Sequence, residues 1–131
     1  MRYILYLLIF IYSTFAEAQL ESSFWYFGIN SGIDFNSGSA VAISDGQLAT
    51  GEGCATISDE LGNLLFYTDG SLVYDVNHVT MPNGTELLGS SSSTSSAIIV
   101  PLPGNANQYY IFTVDTNDEF YRDTDGLHYS I

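Results

Sequence analysis

The sequence predicts an all-β fold, and three observations predict it. Short apolar runs rich in β-branched and aromatic residues recur along the chain, each bounded by Gly, Asn, Asp, Pro or Ser. No stretch beyond the first eighteen residues sustains a helical period. One strand phrase, GNLLFYTDG at 62–70, returns in altered form as NQYYIFTVD at 107–115.

The leader comes first. Arg2 precedes an apolar run from Tyr3 to Tyr12, and small residues follow up to Ala16-Glu17-Ala18. That layout is a secretory signal peptide over 1–18 with cleavage before Gln19. The apolar run is shorter than the ~20 residues a bilayer-spanning helix needs, so no membrane insertion is expected once the leader is removed.

Nine strands are then expected: FWYFG (24–28), GIDF (32–35), AVAI (40–43), CATIS (54–58), LLFYT (64–68), LVYDV (72–76), AIIVP (97–101), YYIFTV (109–114) and LHYSI (127–131). Asp69-Gly70 supplies the positive backbone angles of a type I′ hairpin turn. Asp45-Gly46 and Pro82-Asn83-Gly84 read as turns by the same chemistry. DELGN (59–63) and LPGNANQ (102–108) read as hairpin loops, and the low-complexity run GSSSSTSS (89–96) as a flexible surface connection.

The repeat sets the architecture. Asn63 aligns with Gln108, a period of about 45 residues with several strands per unit, as in β-propeller blades. In LLFYT the two alternating sets, Leu64 and Phe66 against Leu65 and Tyr67, are both apolar, so the strand wants cover on both faces. Antiparallel blade-like sheets of an incomplete propeller over 19–131 satisfy that demand; a β-sandwich is the alternative. A propeller closes with four to eight blades, so this stretch is expected to be the N-terminal part of a longer protein, with the remaining blades downstream and apolar flanks exposed without them.

Charge narrows the partners. Fifteen carboxylates face two arginines, for a formal net charge of −13; the leader removes one of each sign and leaves the balance unchanged. Such a surface repels phosphate backbones, so no nucleic acid is expected. At 46% hydrophobic and 15% aromatic residues the chain is rich enough to build a core. A lone cysteine, Cys54, excludes an intrachain disulfide and reads as a small buried strand residue.

Six blocks in order, WYFG-x-N-x-GIDF, AVAISDG, EGCATISD-xx-GNLLFYTDG, NHVTMPNGTELLG, SSSTSSAIIVPLPG and YYIFTVD, cover almost all of 19–131. Together they resemble the N-terminal propeller-like region of large secreted surface proteins of gliding Gram-negative bacteria. Those proteins carry a C-terminal type B sorting domain for the type IX secretion system and are called gliding-motility associated. The resemblance implies a noncatalytic binding or adhesion scaffold, secreted or on the outer cell surface, with a surface polysaccharide or protein as partner. It brings no catalytic residues, and the sorting domain does not occur in these 131 residues.

The serines lack a G-x-S-x-G elbow, and His78 and His128 fall in segments that align differently with the repeat, so no hydrolytic triad is expected. Glycoside hydrolysis needs only paired carboxylates, which makes a propeller glycan hydrolase the enzymatic alternative. Yet Asp45, Asp59 and Asp69 sit where a carboxylate stabilises its own turn. Within 115–125, Asp115, Asn117, Asp123 and Asp125, with Asp118 and Glu119, offer hard oxygen donors that would suit Ca²⁺ in a calcium-dependent carbohydrate-binding module. The plainer expectation for that loop is a solvated acidic surface, since Phe120 stands where an EF-hand needs glycine. Tyr26, Tyr74 and Tyr121 lie near loops but are expected to fill cores, and Asn83-Gly84-Thr85 is expected to be a turn rather than a glycosylation site.

Overall fold

A computed structural model describes residues 20–115 and 126–131. The expected leader, residues 1–18, lies outside them. All nine predicted strands form, with no end moved by more than one residue: β1 (Phe24–Phe27), β2 (Ser31–Asp34), β3 (Val41–Ile43), β4 (Ala55–Ser58), β5 (Leu64–Thr68), β6 (Val73–Asp75), β7 (Ala97–Pro101), β8 (Tyr109–Val114) and β9 (Leu127–Ser130). They make three antiparallel three-stranded sheets in sequence order, β1-β2-β3, β4-β5-β6 and β7-β8-β9. A 3-10 turn, Leu20–Ser22, precedes them.

The sheets stack in series through their first strands, β1 against β4 and β4 against β7. Two apolar layers result. Tyr26, Leu48, Leu64 and Tyr67 fill the layer between the first and second sheets, with Phe24, Ile43, Cys54 and Tyr74 packed around them. Ile57, Phe66, Val73, Ala97 and Ile111 fill the layer between the second and third. The middle strand β5 is therefore covered on both sides, as its sequence demanded.

Its two faces are not composed as simple alternation predicts. The β4–β5 register runs Ile57↔Phe66 and then Ser58↔Leu64, so Leu65 is the extra residue of a β-bulge. A bulge rotates the strand by one position. Leu64 consequently shares a face with Tyr67, and Leu65 with Phe66.

The repeat is visible in the registers. Tyr67↔Tyr74 in the second sheet corresponds to Phe112↔Tyr129 in the third. Thr68 and Thr113, one period apart, are both fully buried, and each hydroxyl donates to a loop carbonyl, that of Leu72 and of Leu88 respectively.

Several turns depart from expectation. Gly70 has φ +90° but Asp69 has no positive φ, so the turn is not type I′. Asp69 instead accepts from the N–H groups of Ser71 and Leu72 and holds a wider loop. Gly46 is a close approach rather than a turn residue: a Cβ there would stand 2.5 Å from the Tyr26 ring. Pro82-Asn83-Gly84 is the expected turn, closed by Gly84 N–H to Met81 C=O with Asn83 at φ +60°.

The serine run is not a loose surface connection. Ser93 and Ser96 are buried. Gly53 N–H donates to Ser93 C=O, Thr50 Oγ1 to Ser91 C=O and Val114 N–H to Ser96 C=O, so the run clasps the start of β4 and the end of β8. Small residues are what permit this. A Cβ on Gly53 or Gly70 would meet Ser96 backbone atoms at 2.3 and 2.7 Å.

Candidate functional site

Where the first sheet packs on the second, side chains from four separate places in the chain converge: Tyr26 of β1, Asp45 of the β3–β4 connection, Tyr67 of β5 and His78 of the turn after β6. The Tyr26 and Tyr67 rings stack with centroids 4.5 Å apart, and Tyr74, the cross-strand neighbour of Tyr67, stacks with it at 5.3 Å. The His78 ring stands edge-on to Tyr26 at 5.5 Å.

The polar ends of these rings converge on His78 and Asp45. Gln47 N–H donates to Tyr67 Oη (3.1 Å), Tyr67 Oη meets His78 Nδ1 (3.0 Å), His78 Nε2 meets Asp45 Oδ2 (3.5 Å), and Tyr26 Oη donates to Asp45 Oδ1 (3.0 Å). Tyr67 Oη and His78 Nδ1 are hydrogen-bonded, with the donor set by the imidazole tautomer, and His78 Nε2 stands at ion-pair distance from Asp45.

Electrostatics keep both phenols protonated. Burial drives the Tyr26 phenol far above its usual range, and its bond to Asp45 and that carboxylate's charge add to the shift. Burial also raises Tyr67, against the lowering effect of the Gln47 N–H, and raises Tyr74. Tyr67 is fully buried, so its hydroxyl cannot reach a substrate. The parts that face solvent are the Asp45 carboxylate, 57% exposed, and the edge of His78.

They open onto a cleft of about 330 Å³ lined by aromatic, amide and ionisable groups, among them Phe24, Asn36, Asp45, Asn63 and His78. This size lies at the small end of ligand pockets.

The backbone beneath His78 explains its placement. Asp75 Oδ1 accepts the N–H groups of Asn77 and Val79, Asp75 N–H donates to Val79 C=O, and His78 N–H donates to Asp75 C=O. DELGN makes the same bonds: Asp59 Oδ1 accepts Leu61 and Asn63 N–H, Asp59 N–H donates to Asn63 C=O, and Gly62 N–H donates to Asp59 C=O. These are two copies of one five-residue loop. The fourth position needs positive φ; Gly62 supplies it at +85°, whereas in DVNHV it is His78 at +60°. Turn amides hold the Asp59 carboxyl below the usual range through Asn63 first, and the Asp75 carboxyl through Val79 first.

Of the carboxylates expected to stabilise turns, Asp59 and Asp69 do so. Asp45 does not: both its oxygens serve the Tyr26–His78 cluster, because the Gly46 approach to the Tyr26 ring brings its side chain there. Tyr26 is core, as expected, and Tyr74 packs against that core. Cys54 is half-buried, its thiol donates to Tyr26 C=O (3.2 Å), and burial pushes its pKa up, which suits a structural thiol. Asp115 N–H donates to Gly126 C=O; Asn117, Asp118, Glu119, Tyr121, Asp123 and Asp125 lie outside the described residues. Among the described residues no three His, Cys, Asp or Glu side chains gather as metal ligands.

The Tyr26–Asp45–Tyr67–His78 cluster escapes a sequence reading because its members lie far apart in the chain. One signal was available: DVNHV repeats the pattern of DELGN with a histidine where the glycine should be.

No helix among the described residues is long and apolar enough to cross a membrane. No family model matches the chain, no curated protein matches it, and no solved structure matches it.

Proposed function

We propose that the chain is a noncatalytic binding scaffold acting outside the cell, at the surface of a gliding-type bacterium, and that the cleft beside His78 and Asp45 receives a saccharide unit of a surface polysaccharide. The observation that carries this reading is the histidine in the glycine position of its loop. An L-residue in the left-handed region costs roughly 1 kcal/mol relative to glycine, and such strain gathers at functional sites. The same loop built with Gly62 shows that the fold does not require His78; its side chain is what the strain retains.

The cleft's composition supports a binder. An aromatic wall beside amide, carboxylate and imidazole groups suits a sugar ring, with its apolar face and hydroxyl rim. Asp45 is the single carboxylate in the described lining, where glycoside hydrolysis uses two. The three sheets, stacked in series through their first strands, support blades of a propeller as their larger arrangement. The export leader and the six sequence blocks support the location.

The test is titration of neutral oligosaccharides, read by calorimetry, against the chain and against His78→Gly and Asp45→Asn. Millimolar or tighter binding is expected, weakened at least ~10-fold by either change, with no reducing ends released. Asp45-dependent release of reducing sugar would replace the binder by a hydrolase, and binding indifferent to both substitutions would remove the cleft from the reading.

A further inference from the structure

The hydrogen-bond inventory of the cleft beside His78 and Asp45 is one-sided. Asn36 gives both amide hydrogens away, to Asp34 Oδ1 (2.9 Å) and to Gly62 C=O (3.1 Å). A carboxylate and a carbonyl only accept, which fixes the orientation of this amide and leaves Asn36 Oδ1 as an acceptor. Asn63 Nδ2 donates to Asp59 Oδ2 (2.9 Å), which fixes the second amide in the same way and leaves it one acceptor and one N–H. The Tyr26 hydroxyl is spent on Asp45 Oδ1. Asp45 itself, 57% exposed, keeps lone pairs on both oxygens beyond those facing Tyr26 and His78. Acceptors thus outnumber donors in the lining, and a ligand that satisfies them brings hydrogens of its own.

Charge points the same way. The chain has no lysine, and its two arginines, Arg2 and Arg122, lie outside the described residues. A carboxylate stands behind each amide, Asp34 behind Asn36 and Asp59 behind Asn63. Negative charge is felt at the cleft wall: after burial and the bond to Asp45, the charges of Asp45 and Asp34 add to the rise of the Tyr26 phenol. That wall is aromatic. Phe24 and Tyr26 lie parallel, with 4° between their planes and centroids 6.3 Å apart, and aromatic rings attract a cation electrostatically as well as by contact area.

We infer that the cleft selects a sugar unit carrying a protonated amine, a hexosamine with its nitrogen free, with Asp45 as the counter-charge and the side-chain carbonyls of Asn36 and Asn63 as further acceptors. This rests on the saccharide reading of the cleft and adds the substrate class. An N-acetylated or unmodified sugar lacks the charge, and a uronate brings the wrong sign.

The test is calorimetric titration of the full chain with three oligomers of matched length: glucosamine with free, protonated amines, the same oligomer N-acetylated, and a neutral glucose oligomer. The free-amine oligomer should bind at least ~10-fold tighter than the other two. Added salt should shrink that margin, because the amine's pairing with the exposed Asp45 is screened. Asp45→Asn should abolish the margin, while Glu52→Gln, which removes an exposed carboxylate outside the cleft lining, should preserve it. A margin that falls equally in both variants would be an effect of whole-surface charge and would overturn the inference. Three equal affinities would overturn it and leave a neutral-saccharide cleft standing; no binding by any oligomer would overturn both readings. Oligolysine bound as tightly, with the same dependence on Asp45, would remove the sugar from both and assign the acceptors to a basic protein segment.

Discussion

The loops at 59–63 and 75–79 have the same length, the same aspartate in first place and the same hydrogen bonds, and they differ where it matters. DELGN puts glycine at the position that must turn left-handed; DVNHV puts histidine there. The first loop closes a hairpin. The second closes one as well and also presents an imidazole to Asp45 and Tyr67. Two otherwise equal solutions to one backbone problem thus separate what folding requires from what the side chain adds.

The sharpest way to break the comparison is Gly62→Ala. The methyl would meet Asn36 Oδ1 at 2.3 Å and Ser23 Oγ at 3.0 Å, on a residue with φ +85°. Strain and overpacking together should cost about 2–3 kcal/mol, read as a lower urea midpoint at unchanged slope. His78→Gly should cost less. It relieves about 1 kcal/mol of backbone strain but takes the His78 partner from the buried Tyr67 hydroxyl, a loss of about 1–3 kcal/mol, so the midpoint should fall by no more than about 2 kcal/mol while saccharide binding falls.

Alkaline pH sharpens the contrast further, because only the second loop touches buried phenols. Tyr26, Tyr67 and Tyr74 have folded-state pKa values raised above the unfolded value of about 10. Their protonated forms are favoured in the fold, so that stability is complete below pH ~10 and is lost as pH rises beyond it. Unfolding scans between pH 9 and 11 should show the decline, and Tyr67→Phe should flatten it. The smallest effect lies at the acid end. Asp59 and Asp75 are both held low by turn amides, so their contributions are present above the unfolded value near 4 and fade as pH falls. Asp59→Asn and Asp75→Asn should each reduce the acid dependence slightly, by comparable amounts if the loops are equivalent.

The strands were legible because each is a dense apolar run between breakers, and the repeat was legible because Thr68 and Thr113 recur in matching phrases. The bulge at Leu65 was not, since nothing local distinguishes it from the leucine before it; only the facing strand fixes it. Asp45-Gly46 carried a turn signal that the fold spends on approach to an aromatic ring. The cluster was hidden for a different reason: Tyr26, Asp45, Tyr67 and His78 become neighbours only when two sheets close on each other, and no spacing rule describes that event.

The serine-rich clasp has a mechanical consequence. It ties the β3–β4 connection, the head of β4 and the tail of β8 with main-chain bonds under buried small residues, so the second and third sheets share one fastening. A force drawing the ends of the chain apart would reach β1–β3 and β9, which lie outside that knot, first, and the second and third sheets should then yield together.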